Sequence, residues 1–444
     1  MEKPPEIDSS DPSSHNEAIE PIPDETPAAI KEEKTEAPAA VPTTEAPPTF
    51  PEGSTKGWLA VVGSFCIMFV TFGYINAFGV YQAYYQDTFL RHKSPSDISW
   101  IGSLQVLFQF SAGLISGPLA DRYGVKYVLA PCSVVYVFAI MMTSLCREYY
   151  QFMLAQGLLA GAANGMLYTP SVAVLGHYFR RRRPLVMSIA AAGSSLGGVI
   201  FPLALERLLY HSSVGFGWAV RVMGFIVLFL CSIACCTIYP RMKPRTGPHF
   251  LGEAFLIPAY TLQLVGMFLV YFGLLFPFFY IADYAQSIGL SVEWSFYLIA
   301  IANGLSFFGR LLAGYVARYV RTFLVLSFCC AICSILIFCW LAISTRGGLI
   351  AFVVLYGFFS GGVIALFPAT TAQTAPHPSK IGTYLGMAMG VYSISGLTGN
   401  PISGALVNNQ GYHAAFIWNG VIVIAGAAFV FVADFFDRER KDRK

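Results

Sequence analysis

The sequence predicts an all-α membrane protein of twelve spanning helices arranged as two related six-helix bundles. Three observations predict it. Hydrophobic residues make up 55% of the 444 and charged residues only 12%, about half the charge of a soluble domain. Twelve apolar runs, each near the ~20 residues that a bilayer core demands, follow a polar leader. Landmarks in the first six runs return in the last six at a nearly constant offset.

The elements follow in order. Residues 1–55 hold 13 acidic side chains and 11 prolines. Such a stretch buries too little apolar surface to order itself and lacks the apolar core of a secretory signal. It is expected to be a disordered cytosolic tail, either regulatory or a solvated spacer. The first bundle, 56–239, is expected to span at 58–86, 97–119, 126–146, 150–176, 184–205 and 214–239. A short cytosolic loop, 240–253, carries Pro240, Pro244 and Pro248 and separates the halves. The second bundle, 254–434, spans at 254–281, 294–317, 322–344, 349–372, 382–406 and 412–433, and 435–444 is a basic cytosolic tail. Gly273 and Pro277 predict a hinge in the seventh span, because proline removes a backbone donor. With both termini inside, the inner loops and C-tail hold 17 lysines and arginines and the outer loops five, which sets the orientation.

Gly117-x-x-Ala-Asp121 ends the second span and Gly314-x-x-Ala-Arg318 the eighth, 197 residues later. Pro170 is answered by Pro368 and Pro202 by Pro401. Repeats of this kind place a solute site between the halves near the midplane and give alternating access by rocking.

Other classes find little support. The basic residues lie in short loops, which argues against nucleic acid. Ten cysteines fall in or beside apolar runs, so Cys330-x-x-Cys333 reads as small apolar packing and neither a metal site nor a disulfide framework is expected. The seven histidines lie in loops, tails or helix ends. No HExxH, GxSxG or Walker sequence occurs. An enzyme is not expected, nor any cofactor.

Gly117-Pro-Leu-Ala-Asp121-Arg122-Tyr-Gly124-Val-Lys126 resembles the loop 2–3 signature of the major facilitator superfamily, G-x-x-x-D-R-x-G-R/K-R/K. Gly117 lets two helices approach closely. Asp121 can accept charge-assisted bonds from Arg122 or a neighbouring helix end. Gly117, Asp121, Arg122, Gly124 and Lys126 are therefore the candidate cytosolic latch. Arg318 stands where the second copy would carry its acid. Tyr178-Phe-Arg180-Arg-Arg-Arg183-Pro-Leu185, with the Ala/Gly stripe behind it, resembles the Y-F-x-K-R/K-R-x-L-A-x-G-x-A-x-A-G signature of the monocarboxylate transporter family. Arg181, Val186 and Ser188 depart from it. Glu52-Gly-Ser-Thr-Lys-Gly57-Trp58 is similar to that family's first signature, with one residue inserted. The resemblance, to fungal members, covers about residues 50–435. It implies a major facilitator fold and a plasma-membrane secondary carrier. Lactate carriers of that family use a lysine in helix 1 and an aspartate four residues before the helix 8 arginine. Asn76 and Ser306 stand at those places, so simple proton–lactate symport is not expected.

Two arginines, Arg221 and Arg310, lie inside apolar runs with no carboxylate at equal depth. A centred arginine costs roughly 2.5–3.5 kcal/mol on insertion scales, so one retained there lines a wet cavity, finds a partner or snorkels to the interface. Arg310 is the candidate solute contact; Arg221, near the outer face, reads as a snorkelling side chain. Asn76 and Asn303 are polar at mid-depth and could orient a solute or tie helices together. Tyr74, Tyr280 and Tyr392 could wall a cavity for a flat solute. The expected partners are a small-molecule solute and the lipid bilayer, with a monomer as functional unit. A transporter-shaped nutrient sensor and a drug–proton antiporter are the alternatives.

Overall fold

The computed structural model describes residues 50–242, 244–245 and 248–442. Residues 1–49 of the acidic tail, Lys243, 246–247 in the loop and the last two residues lie outside it.

The first span is broken into α1 (Thr55–Val70), α2 (Phe72–Ile75) and α3 (Phe78–Asp87). Ser54 caps α1 by accepting the Gly57 N–H. The Thr71 hydroxyl donates back to the Ile67 carbonyl at the first break, a local bond that competes with the helical ladder. The second span is α4 (Pro95–Tyr123), opened by a reciprocal Ser94–Asp97 capping box that satisfies two orphan donors. The third is α5 (Val125–Thr143). The fourth combines α6 (Tyr149–Phe152), a wider π-helical segment over Met153–Ala160, and α7 (Gly161–Tyr178). The fifth and sixth are α8 (Arg183–Tyr210) and α9 (Gly215–Thr237).

After the loop the seventh span runs as α10 (Pro258–Leu274) and α11 (Phe276–Ser287). Its interruption at Leu275 falls between Gly273 and Pro277, the residues expected to bend it. The remaining spans are α12 (Val292–Val316), α13 (Thr322–Trp340), α14 (Arg346–Thr374), α15 (Ile381–Gln410) and α16 (Tyr412–Asp442). Among the described residues, eleven helical stretches are long and apolar enough to cross a membrane. α15, eleventh in order, is not one of these; it is a 30-residue helix rich in glycine, serine and asparagine. Large apolar side chains such as Phe138, Phe229, Phe308 and Phe328 stand exposed around the flanks, as lipid-facing helices require. The ten cysteines are free thiols.

Two seams join the halves: α4 against α15 and α8 against α12. They are built alike. A Cβ on Gly117 would meet the Gly382 carbonyl oxygen, and one on Gly314 would meet Ser188 and the Pro184 carbonyl. Backbones this close admit only glycine. The face that carries both ends of the described chain, called here the terminal face, shows the same duplication. Arg241 donates to the His177 carbonyl near the end of α7, and Arg440 to the Thr374 carbonyl at the end of α14. Glu52, before the first span, accepts from the backbone that opens α8; Glu253, before the seventh, accepts from Lys380 beside the start of α15.

Candidate functional site

Arg310 lies on α12 with 4% of its surface exposed. Its Nε donates to the Ser306 hydroxyl one turn earlier at 3.2 Å. Its Nη1 reaches across the second seam to the Ala191 carbonyl at 2.5 Å and to the Ser194 hydroxyl, both on α8. These partners are neutral dipoles, so the positive charge keeps most of its attraction for an anion. Nη2 makes no hydrogen bond among the described residues. Tyr168 of α7 and Tyr271 of α10 lie in the neighbourhood of the guanidinium. Arg221 stays within its own half, bonded to the Ser144 hydroxyl at 3.2 Å and placed over the Trp218 ring.

About 10 Å further along α12, at 1.5 Å per residue, Asn303 borders Gly198 of α8, and so does the exposed Asn76 of the first span. Asn303 Oδ1 and Asn76 Nδ2 each lie 3.1 Å from the point a Cβ on Gly198 would occupy. A missing side chain on α8 thus lets a polar group of the first span and one of the eighth converge. Each amide also ties back to its own helix, Asn76 to the Phe72 carbonyl and Asn303 to that of Ile299. The acceptor oxygens make no hydrogen bond among the described residues, which leaves them able to take a donor.

An aromatic row crosses between the halves at this depth. Tyr168 packs on Phe72, Phe72 on Phe110, and Phe110 on Tyr271 with centroids 5.9 Å apart. Tyr271 stacks on Tyr392 at 5.4 Å and meets Phe367 edge-on. Tyr392 therefore belongs to this group. Tyr74 does not: its hydroxyl bonds that of Tyr81 at 2.6 Å, and its ring packs on Tyr136 and Phe201 inside the first bundle. Tyr280 stacks on Phe276 and donates to the Asn400 carbonyl within the second bundle. A surface groove of about 370 Å³, lined by Met142, Leu145 and Leu154, lies between the end of α5, the loop after it and the fourth span, and its apolar lining suits lipid.

The candidate latch residues gather at the terminal face. Asp121 accepts from the Thr383 N–H at 2.7 Å and from its hydroxyl at 2.8 Å. Its partner is thus the start of α15, the second of the two expected possibilities. Arg122 meets His249 Nε2 at 3.1 Å in the inter-bundle loop. Gly124 ends α4 with φ 98°, a conformation that suits glycine, and Lys126 sits 3.7 Å above the Tyr239 ring. Arg318, at the place of Asp121 in the second copy of the motif, lies over Tyr315 and Tyr319. Outside the spans, the hydrogen bond and charge of Lys380 hold the Glu253 carboxyl below its ordinary range.

The residues that reasoning from sequence missed are mainly small: Ser194, Gly198, Ala191 and Thr383. Gly198 belongs to the Ala/Gly stripe of α8 and Ser194 interrupts it; a serine there was the signal that could have marked a polar seam. Among the described residues no three His, Cys, Asp or Glu side chains converge to hold a metal.

A twelve-span helical fold with a buried arginine between its halves defines a membrane carrier. Residues 60–396 match the Major Facilitator Superfamily, and the chain belongs to that family. It is 46% identical over 385 residues to the aspyridones efflux protein apdF of Emericella nidulans, covering 86% of this chain and 79% of that one. It is 38% identical to the agnestins efflux protein AgnL12 of Paecilomyces divaricatus, over 92% of both chains. The fold is similar to that of the human organic anion transporter MFSD10 (TM-score 0.66, 14% identity, covering 85% of this chain and 98% of that one). It is equally similar to the transporter FucP in its outward conformation (TM-score 0.67, 16% identity, 86% and 98%).

Proposed function

We propose that this chain is a plasma-membrane exporter that moves a small organic anion, a secondary metabolite, by alternating access in the manner of the monocarboxylate porters. The observation that carries this reading is Arg310. Its guanidinium is buried on the inter-half seam and held by neutral dipoles, with Tyr168 and Tyr271 in its neighbourhood. A charge-assisted bond to a carboxylate or acidic enol is roughly twice as strong as a neutral one. The Tyr271–Tyr392 stack offers a flat surface to an unsaturated body. Asn76 and Asn303 would orient its polar substituents. The direction rests on the relatives named as efflux proteins. Asn76 and Ser306 offer no titratable group at the positions where lactate carriers place an acid–base pair. Cargo made inside the cell then leaves down its own gradient. The terminal face is the cytosolic one in this reading, the monomer is the working unit, and Gly117 with Asp121 latches it shut.

The test is untargeted metabolite profiling of the host with the gene disrupted, and then restored as wild type or as Arg310→Ala. The missing metabolite should build up inside the disrupted cells and return to the medium with wild type. The alanine variant, at equal membrane abundance, should fail to restore it. An unaltered medium after disruption would overturn the export reading.

A further inference from the structure

Asp121 holds only one of the two seams, and the structure shows a second charged crossing at the terminal face. Arg183, the first residue of α8, donates from Nη1 to the Ala372 carbonyl of α14 at 2.9 Å. Its Nε and Nη2 stay with its own half, on the Phe179 and Gly176 carbonyls. Ala372 lies in the last turn of α14, where four carbonyls have no helical partner and the helix end is partly negative. The two crossings are complementary. A carboxylate of the first bundle caps a helix N-terminus of the second, and a guanidinium of the first bundle caps a helix C-terminus of the second.

The same helix end already receives Arg440 from its own bundle, at the Thr374 carbonyl. Capping α14 therefore does not require Arg183; what Arg183 adds is a bond between the halves. Rocking the terminal face open must break that bond and hand the carbonyl to water.

Arg183 reaches Ala372 only if the loop before it is held. Four consecutive arginines, Arg180–Arg183, repel one another there. Glu52 accepts from the backbone N–H of Arg180 at 2.9 Å, of Arg181, and of Arg182 at 3.2 Å. One carboxylate in a row of N–H groups at the start of a helix is favoured by both the dipoles and the charge. The neighbouring Gly57 and Trp58 press on Phe179: the Trp58 and Phe179 rings meet at 5.8 Å, and a Cβ on Gly57 would lie 3.1 Å from that ring. The stretches around Glu52 and Arg183, over 120 residues apart, form a single contact.

We propose that Arg183 is a gating residue of the crossing between α8 and α14 and that Glu52 is its positioning residue, so that breaking either contact shifts the carrier toward opening at the terminal face. Neither the identity nor the charge of the cargo enters this inference.

The experiment uses full-length protein in lipid nanodiscs without cargo. Spin labels are placed by Tyr127→Cys and Tyr319→Cys, two exposed positions near the terminal face in opposite halves. The exposed Cys236 and Cys339 are first changed to serine. Double electron–electron resonance then reads the label separation. Arg183→Ala and Glu52→Ala should each raise the longer-distance population on the order of tenfold, the shift expected from losing one charge-assisted bond in a two-state equilibrium. Asp121→Asn is the positive control. If Arg183→Ala does not fold, Glu52→Ala decides alone. A wild-type distance distribution in Arg183→Ala, beside a lengthened one in the control, would overturn the gating role. A change in Arg183→Ala with none in Glu52→Ala would overturn the positioning role.

Discussion

Asp121 and Thr383 stand 262 residues apart and meet across the first seam, where one carboxylate oxygen takes both the N–H and the hydroxyl of the threonine. Thr383 is the third residue of α15, so its N–H is one of the donors that the helix cannot satisfy itself. A carboxylate there gains from the helix dipole as well. Bonds to a charged group contribute about 1.5–3 kcal/mol each. Asp121→Asn keeps the shape and removes the charge. A cysteine placed at the buried Met389 position should then react with an impermeant thiol reagent from the terminal face about tenfold faster than in the parent. Equal rates would mean that the seam is held by packing alone.

Gly117 tests the packing itself. A methyl group there would run into the Gly382 carbonyl oxygen, and backbone cannot move aside as a side-chain tip can. Gly117→Ala should abolish flux in vesicles while membrane insertion stays normal. Gly304 on α12 has open space around it, so Gly304→Ala should transport like wild type. A fully active Gly117→Ala would count against close approach of α4 and α15 as a requirement of the cycle.

Gly198 should behave differently from both. A Cβ there would lie 3.1 Å from each of the two asparagine side chains, tighter than ordinary contact but against side chains that can yield. Gly198→Ala should therefore raise KM for the exported solute several-fold with little change in kcat. A change in kcat alone would assign the glycine to the moving seam and not to the binding site.

The ion pair between Lys380 and Glu253, 2.6 Å apart, should matter little. Its folded-state carboxyl value is depressed by the lysine, so its contribution is present above the ordinary glutamate value of about 4.3 and is lost only as pH falls through the lowered one. Exposed pairs contribute little to stability. Glu253→Gln should leave the melting temperature and the pH profile of flux near neutrality unchanged. A shifted profile would tie the α15 start to the loop more tightly than this geometry implies.

The sequence made the local features legible and left their partners hidden. The Gly117–Lys126 stretch announces itself because glycine, acid and base sit within ten residues. Nothing in it names Thr383, which the chain reaches only after another thirteen helical segments have been laid down. Arg310, Asn303 and Asn76 stood out as polar residues in apolar runs, a contrast that membrane energetics makes sharp. The α8 position that the two amides both border did not, because Gly198 contributes by having no side chain. Aromatic residues carried the least direction. Tyr74, Tyr280 and Tyr392 look alike in an apolar run, yet only Tyr392 faces the inter-half row, while helix phase turns the other two into their own bundles.

Arg310→Lys separates charge from shape at the proposed site. Lysine keeps the positive charge, but its single nitrogen cannot reproduce the fixed fork that holds Ser306 on one edge and Ala191 with Ser194 on the other. If cargo meets a point charge, the lysine variant should retain flux and lose affinity modestly. If cargo is read by a planar guanidinium held in place by the second seam, kcat/KM should fall on the order of a hundredfold, matching the loss of about two charge-assisted bonds. The buried, doubly anchored geometry favours the second outcome. The measurement is efflux from preloaded vesicles containing equal amounts of each variant. Unchanged efflux in both the lysine and alanine variants would remove Arg310 from the cargo path, and the two amides flanking Gly198 would then be the next residues to change.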